Sequence, residues 1–232
     1  MWDVNLSGGD WGEDIGTSRF YAEDHQADWQ LALRGHTDKP LAGVGRYTSP
    51  DLMASIVRSG RLDLIGAARP SIADPFLPLK IEQGRFEDIR ECIGCNACVA
   101  RWDSFSPIVC TQNATMGEEF RRGWHPERFP RAGNAERNVL VIGAGPAGLE
   151  CARVLGERGM QQVHLVDASA AMGGSVNWIS ELPGLRPWQR IVDYRLTQLG
   201  KLANVHMIPG TAFSTDDVLD YGADLVVVAT GS

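Results

Sequence analysis

The sequence predicts an α/β protein built from parallel β/α units. Short apolar runs alternate with amphipathic stretches up to about residue 90, and the same alternation returns at Val139 after an irregular segment. A glycine-rich turn joins a strand to a helix at the start of the second region. With 232 residues, of which 44% are hydrophobic and 22% charged, the chain can bury a core, which excludes a disordered tail or a disulfide mini-protein.

The first region is predicted to contain three strands and three helices. Apolar runs predict strands over residues 2–6, 41–45 and 62–68. Amphipathic stretches predict helices over residues 27–34, 51–59 and 75–82. Ser49 is expected to cap the second of these helices, with Pro50 at its first position.

The second region is predicted to alternate in the same way. The strands are expected over residues 139–143, 163–167, 205–208 and 223–232. One helix follows the glycine turn and ends near residue 158, and another covers residues 188–202. The segment between the two regions, residues 91–138, is polar and aperiodic and predicts an irregular connector.

Charge and hydropathy narrow the functional classes. A net charge of -7 has the wrong sign for a protein held by nucleic acid or by an anionic membrane, so neither is an expected partner. The longest apolar run breaks at glycines well before the roughly 20 residues that cross a bilayer. The first residues lack the features of an export signal, so we expect a cytoplasmic protein.

Four of the five cysteines form an array. The first three are separated by two residues each, and the fourth follows the third after eleven residues. Three thiolates in seven residues let one loop hold three corners of a [4Fe-4S] cluster, and a following loop supplies the fourth. Zinc or unliganded thiols are the alternatives, although zinc sites more often split into two pairs. No proline follows the last cysteine, unlike the bacterial ferredoxin pattern. The expected metal ligands are Cys92, Cys95, Cys98 and Cys110.

The segment GAGPAG predicts a nucleotide site because it leaves a strand and opens a helix. Gly143 permits the turn, Gly145 lets the backbone approach a pyrophosphate, and Gly148 allows close helix packing. Asp167, at the end of the next strand, is expected to accept hydrogen bonds from ribose hydroxyls, which favours ADP, FAD or NAD over NADP. Gly174 and the closing ATG would also approach the nucleotide. The alternative is a glycine turn that binds nothing.

Two strand ends carry arginines. In (β/α)8 barrels the loops after the last two strands commonly bind a phosphate through backbone N–H groups and a cation. Gly45 and Arg46, together with Ala68 and Arg69, therefore suit an FMN phosphate. Two solvated surface arginines are the alternative.

Two tryptophans and a carboxylate form a weaker signal. Trp11 and Asp14 lie in WGED, and Trp102 lies just beyond the turn that carries the first three cysteines. Tryptophan faces near a carboxylate suit an alkylammonium substrate. Packing of both rings in the core, with Asp14 capping a loop, is the alternative.

In this order the motifs resemble the trimethylamine and dimethylamine dehydrogenase family of iron-sulfur flavoproteins, within the NADH:flavin oxidoreductase and old yellow enzyme group. The resemblance covers essentially the whole chain through WGEDIGTSRFY, GVGRYTSP, ARPSIADPFLP, CIGCNACVARWD, CTQNAT, RRGWHPE and GAGPAGLE. It implies the C-terminal part of an FMN-binding TIM barrel over 1–90, a [4Fe-4S] connector over 91–138, and an incomplete Rossmann-like nucleotide domain over 139–232. Since a whole barrel needs about 250 residues, we expect an internal slice of a longer polypeptide.

The resemblance also implies roles for individual residues. The four arrayed cysteines would hold the cluster, and Arg69 would belong to the FMN phosphate site. Asp14 would be the active-site aspartate, working with a tyrosine and a histidine upstream of this chain. Trp11 and Trp102 would be two walls of the aromatic bowl around a methylated amine, and Trp102 argues against a histamine-type pocket.

The activity implied by the resemblance is oxidative N-demethylation of a secondary or tertiary methylated amine. Electrons would pass through the cluster to an electron-transfer flavoprotein, and the full-length enzyme would be a homodimer. The nucleotide domain would hold ADP, with FAD or NAD as alternatives. The rival functions are an NADH-dependent ene-type reductase and, for this chain alone, a noncatalytic module that binds the cluster and a nucleotide.

Overall fold

The chain forms two compact α/β units in a computed structural model that describes residues 1–5, 17 and 19–231. The first unit is Met1–Trp124 and the second is His125–Ser232. The cysteine array lies in the first unit and the GAGPAG turn in the second. In the described ranges no helix is long and apolar enough to cross a membrane.

The first unit contains a parallel sheet of three strands in sequence order. The strands are β1 Trp2–Val4, β2 Leu41–Gly43 and β3 Leu64–Ile65. Trp2 pairs with Leu41, and Ala42 pairs with Leu64. The helices are α1 Ala27–Arg34, α2 Pro50–Arg58, α3 Ala68–Ala73, α4 Leu77–Glu82, α5 Ala97–Asp103 and α6 Glu119–Arg122.

A hydrophobic core joins the sheet to its helices. Leu41 of β2 and Leu62 before β3 are almost fully buried, as is Tyr47 after β2. The hydroxyl of Tyr47 donates to Oε1 of Gln30 at 3.0 Å, so the polar tip of this ring is satisfied within the core. Met53 and Ile56 of α2 complete this face of the core.

Three local predictions for the first unit need correction. The predicted strand over 62–68 is shorter, because Gly66 follows β3 and Ala68 already begins α3. Pro70 fits there because an N–H in the first turn of a helix has no intrahelical partner. Ser49 precedes α2 in an extended conformation, but its side chain makes no capping hydrogen bond. The segment predicted to be irregular contains α5 and α6, which are too short to show a period in the sequence.

The second unit contains a parallel sheet of four strands in the order β6-β5-β4-β7. The strands are β4 Asn138–Ile142, β5 Gln162–Val166, β6 Val205–Ile208 and β7 Leu225–Val228. The helices are α7 Pro146–Glu157, α8 Val176–Ile179, α9 Arg190–Leu199 and α10 Thr215–Asp220. The short helices α8 and α10 were not predicted. Leu140 pairs with His164 and Val226, which places β4 in the centre of the sheet.

Buried ion pairs connect the two long helices of the second unit. Glu150 of α7 contacts Arg153 at 2.6 Å and Arg195 of α9 at 2.9 Å. Both arginine side chains are only 4% exposed, so Glu150 pairs with two buried guanidinium groups. The guanidinium of Arg153 also lies over the ring of Phe129, with 5.3 Å between its central carbon and the ring centroid.

Replacing Ser214 with alanine is expected to lower the free energy of unfolding of the second unit by about 1 kcal/mol. Ser214 caps α10: its Oγ accepts from the Asp217 N–H at 3.2 Å, and the Asp217 carboxylate accepts from the Ser214 N–H at 2.8 Å. Urea unfolding measures the loss, and Ser214→Thr is the control that keeps the cap. Equal stability of Ser214→Ala and the unsubstituted protein would contradict the prediction.

This cap also has an expected pH dependence. Hydrogen bonds from the side chain and the backbone of Ser214 lower the pKa of Asp217. The stabilisation is therefore fully present above the pKa of an unfolded aspartate and is lost as the pH falls through the lower, folded value.

Candidate functional site

The side chains of all four arrayed cysteines line one cavity in the first unit. Cys92 and Cys95 lie in the loop before α5, Cys98 lies in the first turn of α5, and Cys110 follows that helix. The rest of the wall includes the apolar residues Ile72, Ile93 and Val109. The sequence prediction that these cysteines come together is therefore consistent with the folded arrangement.

The loop between Cys92 and Cys98 is shaped by two residues with left-handed backbones. Gly94 has a φ of +67° and Asn96 a φ of +57°. Glycine and asparagine are the residues that tolerate this conformation best. A Cβ atom on Gly94 would also lie 2.8 Å from Nη1 of Arg46, so the turn needs glycine for space as well as for conformation.

Burial keeps three of the thiols protonated when no positive ligand is bound. It raises the pKa of Cys92 to about 11, and it also raises the pKa of Cys98 and of Cys110. All four cysteines are free. Since metal-bound cysteine is a thiolate, binding of a cationic group here must release protons.

Donors surround the sulfur atoms. The N–H of Gly94 lies 3.4 Å from Sγ of Cys92, and the N–H of Gln112 lies 3.4 Å from Sγ of Cys110. Sγ of Cys95 lies 3.2 Å from Oγ1 of Thr111. Hydrogen bonds to sulfur stabilise thiolates and are among the features that set the potential of an iron-sulfur cluster.

Four thiolates can hold either a tetrahedral zinc ion or an iron-sulfur cluster. Within residues 1–5, 17 and 19–231, no three Cys, His, Asp or Glu side chains are arranged to hold one metal ion. The spacing of the cysteines, with three in seven residues, is the feature that favours the cluster.

Both strand-end arginines reach the cysteine loop, a contact that the sequence did not predict. Arg46, which follows β2, packs against Gly94 and donates to the carbonyl oxygen of Tyr21. Arg69, at the start of α3, donates to Oδ1 of Asn96 at 2.5 Å. The two solvated arginines weighed as an alternative are therefore not observed, because both guanidinium groups have partners in the protein.

A buried polar network fixes the cysteine loops to the rest of the first unit. Oδ2 of Asp74 accepts from Nζ of Lys80 at 2.6 Å and from the backbone N–H of Arg90 at 2.9 Å. Arg90 lies two residues before Cys92. After Cys110, the side-chain amide of Asn113 donates to the carbonyl oxygen of Ile72 at 3.1 Å. The sequence did not predict this network, because its partners lie up to 41 positions apart and leave no local pattern.

The GAGPAG turn of the second unit is closely packed. Gly143 has a φ of +99°, and a Cβ atom there would lie 2.4 Å from the carbonyl oxygen of Ala229. A Cβ atom on Gly148 would lie 1.8 Å from the carbonyl oxygen of Gly143. Gly145 precedes α7, and the protein leaves the space beside its Cα open. Gly143 thus needs glycine for its backbone conformation and Gly148 for close packing, whereas the role of Gly145 beside a pyrophosphate stays a prediction.

Asp167 and Gly174 lie beside this turn. Oδ2 of Asp167 accepts from the N–H of Ala144 at 2.6 Å, and Oδ1 accepts from the N–H of Ser169 at 2.8 Å. An ionised carboxylate has further acceptor sites, so these bonds leave capacity for a ribose hydroxyl. Gly174 has a φ of +58°, and a Cβ atom there would lie 3.0 Å from Cα of Gly145.

The structure locates only one of the three predicted substrate residues. Trp11 and Asp14 lie outside the described residues. Trp102 lies on α5, four positions after Cys98 and so on the same helix face, and it is 54% exposed. Its exposure disagrees with the alternative that this ring packs in the core.

Two sequence families match the chain. The NADH:flavin oxidoreductase / NADH oxidase family matches residues 6–88, and the NAD(P)-binding Rossmann-like domain matches residues 141–202. The dimethylamine dehydrogenase of Hyphomicrobium sp. (strain x) is 52% identical over all of this chain. Residues 6–88 belong to the NADH:flavin oxidoreductase / NADH oxidase family, and the whole chain is similar to this dehydrogenase. Its fold is accordingly part of a TIM barrel joined to a Rossmann-like domain.

Two solved structures have the same fold over nearly the whole chain. The 6-hydroxypseudooxynicotine amine oxidase of Pseudomonas geniculata N1 is 53% identical over 99% of the chain, with a TM-score of 0.93. The histamine dehydrogenase of Rhizobium sp. 4-9 is 51% identical over 100% of the chain, with a TM-score of 0.92. The chain spans about a third of the length of these relatives, at 32%, 34% and 33%.

Proposed function

We propose that this chain is part of an amine dehydrogenase that uses FMN and a [4Fe-4S] cluster for oxidative N-demethylation. The observation that carries the proposal is the cavity lined by four cysteines in the same unit as the strand-end arginines. The match of residues 6–88 to the NADH:flavin oxidoreductase family supports FMN as the first cofactor. The similarity to dimethylamine dehydrogenase supports a methylated amine as the substrate.

The bound flavin would take a hydride equivalent from a methyl C–H of the amine, and the cluster would pass the two electrons on singly. Water adds to the resulting iminium ion, which then gives formaldehyde and an amine with one methyl group fewer. The chain's cysteines would hold the cluster as thiolates. Gly45, Arg46, Ala68 and Arg69 would provide the FMN phosphate site. An external electron-transfer flavoprotein would accept the electrons.

The substrate would bind as an ammonium ion and would release its N–H proton to solvent before the hydride leaves, so that the product is a singly charged iminium ion. Trp102 would form one wall of the pocket, and its place on the helix that carries Cys98 would put the amine close to the cluster. Trp11 would form a second wall and Asp14 would be a catalytic residue.

The second unit would bind the ADP part of a nucleotide, with FAD or NAD as the alternatives. The match of residues 141–202 to an NAD(P)-binding domain supports a dinucleotide-type site. Backbone N–H groups at the start of α7 would face the pyrophosphate, and Asp167 would face the ribose. We further propose the three-part division at residues 90 and 138, and a homodimer for the full-length enzyme.

Metal analysis of the full-length protein, purified without oxygen, tests the cluster. Four iron atoms and four acid-labile sulfides per chain are expected. The spacing of the cysteines, with three in seven residues, supports a cluster over zinc. Stoichiometric zinc without iron would overturn this assignment.

Turnover tests the activity. The full-length enzyme is assayed with dimethylamine and trimethylamine and an artificial electron acceptor, and formaldehyde is measured. No turnover with either amine would overturn the substrate assignment. Rapid reduction of the flavin by NADH, without reduction by methylated amines, would instead support an NADH-dependent reductase, an activity named in the family description.

A second candidate is the oxidation of a larger amine. The two solved relatives, which act on histamine and on 6-hydroxypseudooxynicotine by their names, are as similar to this chain as the dimethylamine dehydrogenase is. Histamine is therefore included in the assay. A preference for histamine would contradict the prediction that Trp102 excludes a histamine-type pocket.

Replacing Trp102 with leucine is expected to raise KM for the methylated amine by about 2- to 30-fold, equivalent to about 0.5–2 kcal/mol of cation–π attraction. The turnover number should change little, because the ring holds the cation equally in the ground state and the transition state. Trp102→Phe, which keeps an aromatic face, is the matched control. An unchanged KM in Trp102→Leu would show that this ring does not contact the substrate.

A further inference from the structure

Arg69 is attached directly to the loop that carries the cysteines. Its Nη1 donates to Oδ1 of Asn96 at 2.5 Å and to the carbonyl oxygen of Thr17 at 2.7 Å. Asn96 is the residue between Cys95 and Ala97, so the guanidinium is held beside the first turn of α5. Arg69 is also one of the residues that line the cavity shared by the four thiols.

The geometry of Asn96 makes this attachment specific. Asn96 has a left-handed backbone, with a φ of +57°, and immediately precedes α5. Its side-chain oxygen is used by Arg69 and not to cap the helix. Because Asn96 has this backbone and also accepts a hydrogen bond from Arg69, it fixes the position of one positive charge relative to the thiols.

We propose that Arg69 is a positioning residue whose charge raises the reduction potential of the [4Fe-4S] cluster. This inference rests on the proposed function. Reduction by one electron would add one negative charge to the cluster that the four thiolates would hold. A fixed guanidinium at the wall of a partly buried cavity stabilises that extra charge. The same residue would thereby join the phosphate end of the flavin site to the electron acceptor.

Two arginines contact the cysteine loop. Arg46 does so at Gly94, but Arg69 is the one of the two that lines the cavity shared by the thiols.

The test is a redox titration of the cluster in the full-length enzyme, followed by electron paramagnetic resonance. Arg69→Gln removes the charge and Arg69→Lys keeps it. In the glutamine variant, the equilibrium constant for one-electron reduction of the cluster is expected to fall about tenfold. This corresponds to a shift of the reduction potential by about 59 mV to more negative values. The lysine variant should recover at least half of this shift. Arg58→Gln, at the exposed end of α2, is the control for loss of one positive charge and should titrate like the unsubstituted enzyme.

Iron, sulfide and FMN contents are measured in every variant. If Arg69→Gln keeps a full cluster and its reduction potential is unchanged, the inference is overturned. This holds also if the FMN content falls, because the substitution would then have damaged only the phosphate site. If Arg69→Gln loses its cluster, the reduction potential is measured in Asn96→Gly instead, because glycine keeps the left-handed turn and removes the acceptor that positions Arg69. A shift of the potential to more negative values supports the inference, and an unchanged potential overturns it. Absence of an iron-sulfur signal in the unsubstituted enzyme would overturn the proposed cofactor itself.

Discussion

Replacing Lys80 with methionine is expected to lower the free energy of unfolding of the first unit by about 3–5 kcal/mol, because it leaves the Asp74 carboxylate buried without its cation. Asp74 is fully buried and Lys80 is 1% exposed. Nζ of Lys80 also donates to the carbonyl oxygen of Asp88 at 2.7 Å. Urea unfolding measures the stability. Iron content should fall in parallel, since Asp74 also holds the N–H of Arg90 next to the first cluster ligand.

Two further variants isolate the ion pair. Asp74→Asn should cost a similar amount, because the carboxylate accepts three bonds on two oxygens, from Lys80, from Arg90 and from the N–H of Phe76 at 3.0 Å. An amide has a single oxygen and cannot replace both acceptors. The double variant should cost less than the sum of the single variants.

The control for this pair is an exposed one in the same unit. Arg85 contacts Asp88 at 3.3 Å with 41% of its side chain exposed, and Arg85→Gln should cost less than about 1 kcal/mol. Equal losses in Lys80→Met and Arg85→Gln would contradict the importance of the buried network.

Replacing Gly148 with alanine is expected to destabilise the second unit by about 3 kcal/mol, at the upper end of the cost of overpacking. The new methyl group would lie 1.8 Å from the carbonyl oxygen of Gly143. Because that atom belongs to the backbone of the turn, relief requires α7 to move away from β4. Both the unfolding free energy and the affinity for ADP should fall.

Gly145→Ala is the matched variant that separates binding from stability. Its backbone, with φ of -70° and ψ of -178°, is accessible to alanine, and the added methyl group would meet no protein atom within 4 Å. We expect a change in unfolding free energy below about 1 kcal/mol. ADP affinity should nevertheless fall at least tenfold, because the methyl group would occupy the space left for the pyrophosphate. If both variants lose stability equally, or if Gly145→Ala binds ADP normally, this division of roles is wrong.

The elements predicted correctly are those with a strong local pattern. Helix α1 and strand β6 have the predicted bounds, and the strand, turn and helix of the GAGPAG motif lie within two residues of theirs. Short helices such as α3 and α5 were missed because one or two turns cannot show a 3.6-residue period. Their stability depends on packing against neighbours that are distant in the sequence.

The chemical groups that this protein carries can be read from its sequence. Cysteine spacing and glycine spacing are local constraints, so Cys92 to Cys98 and Gly143 to Gly148 point to a cluster loop and a nucleotide turn before any fold is known. The surroundings of these groups, in contrast, become known only from the folded structure. Arg69 and Asn96 are 27 positions apart, and Asp74 and Arg90 are 16 apart. Such contacts depend on how several β/α units pack together. Because the fold determines which side chains meet, these contacts leave no periodicity or spacing that the sequence could show.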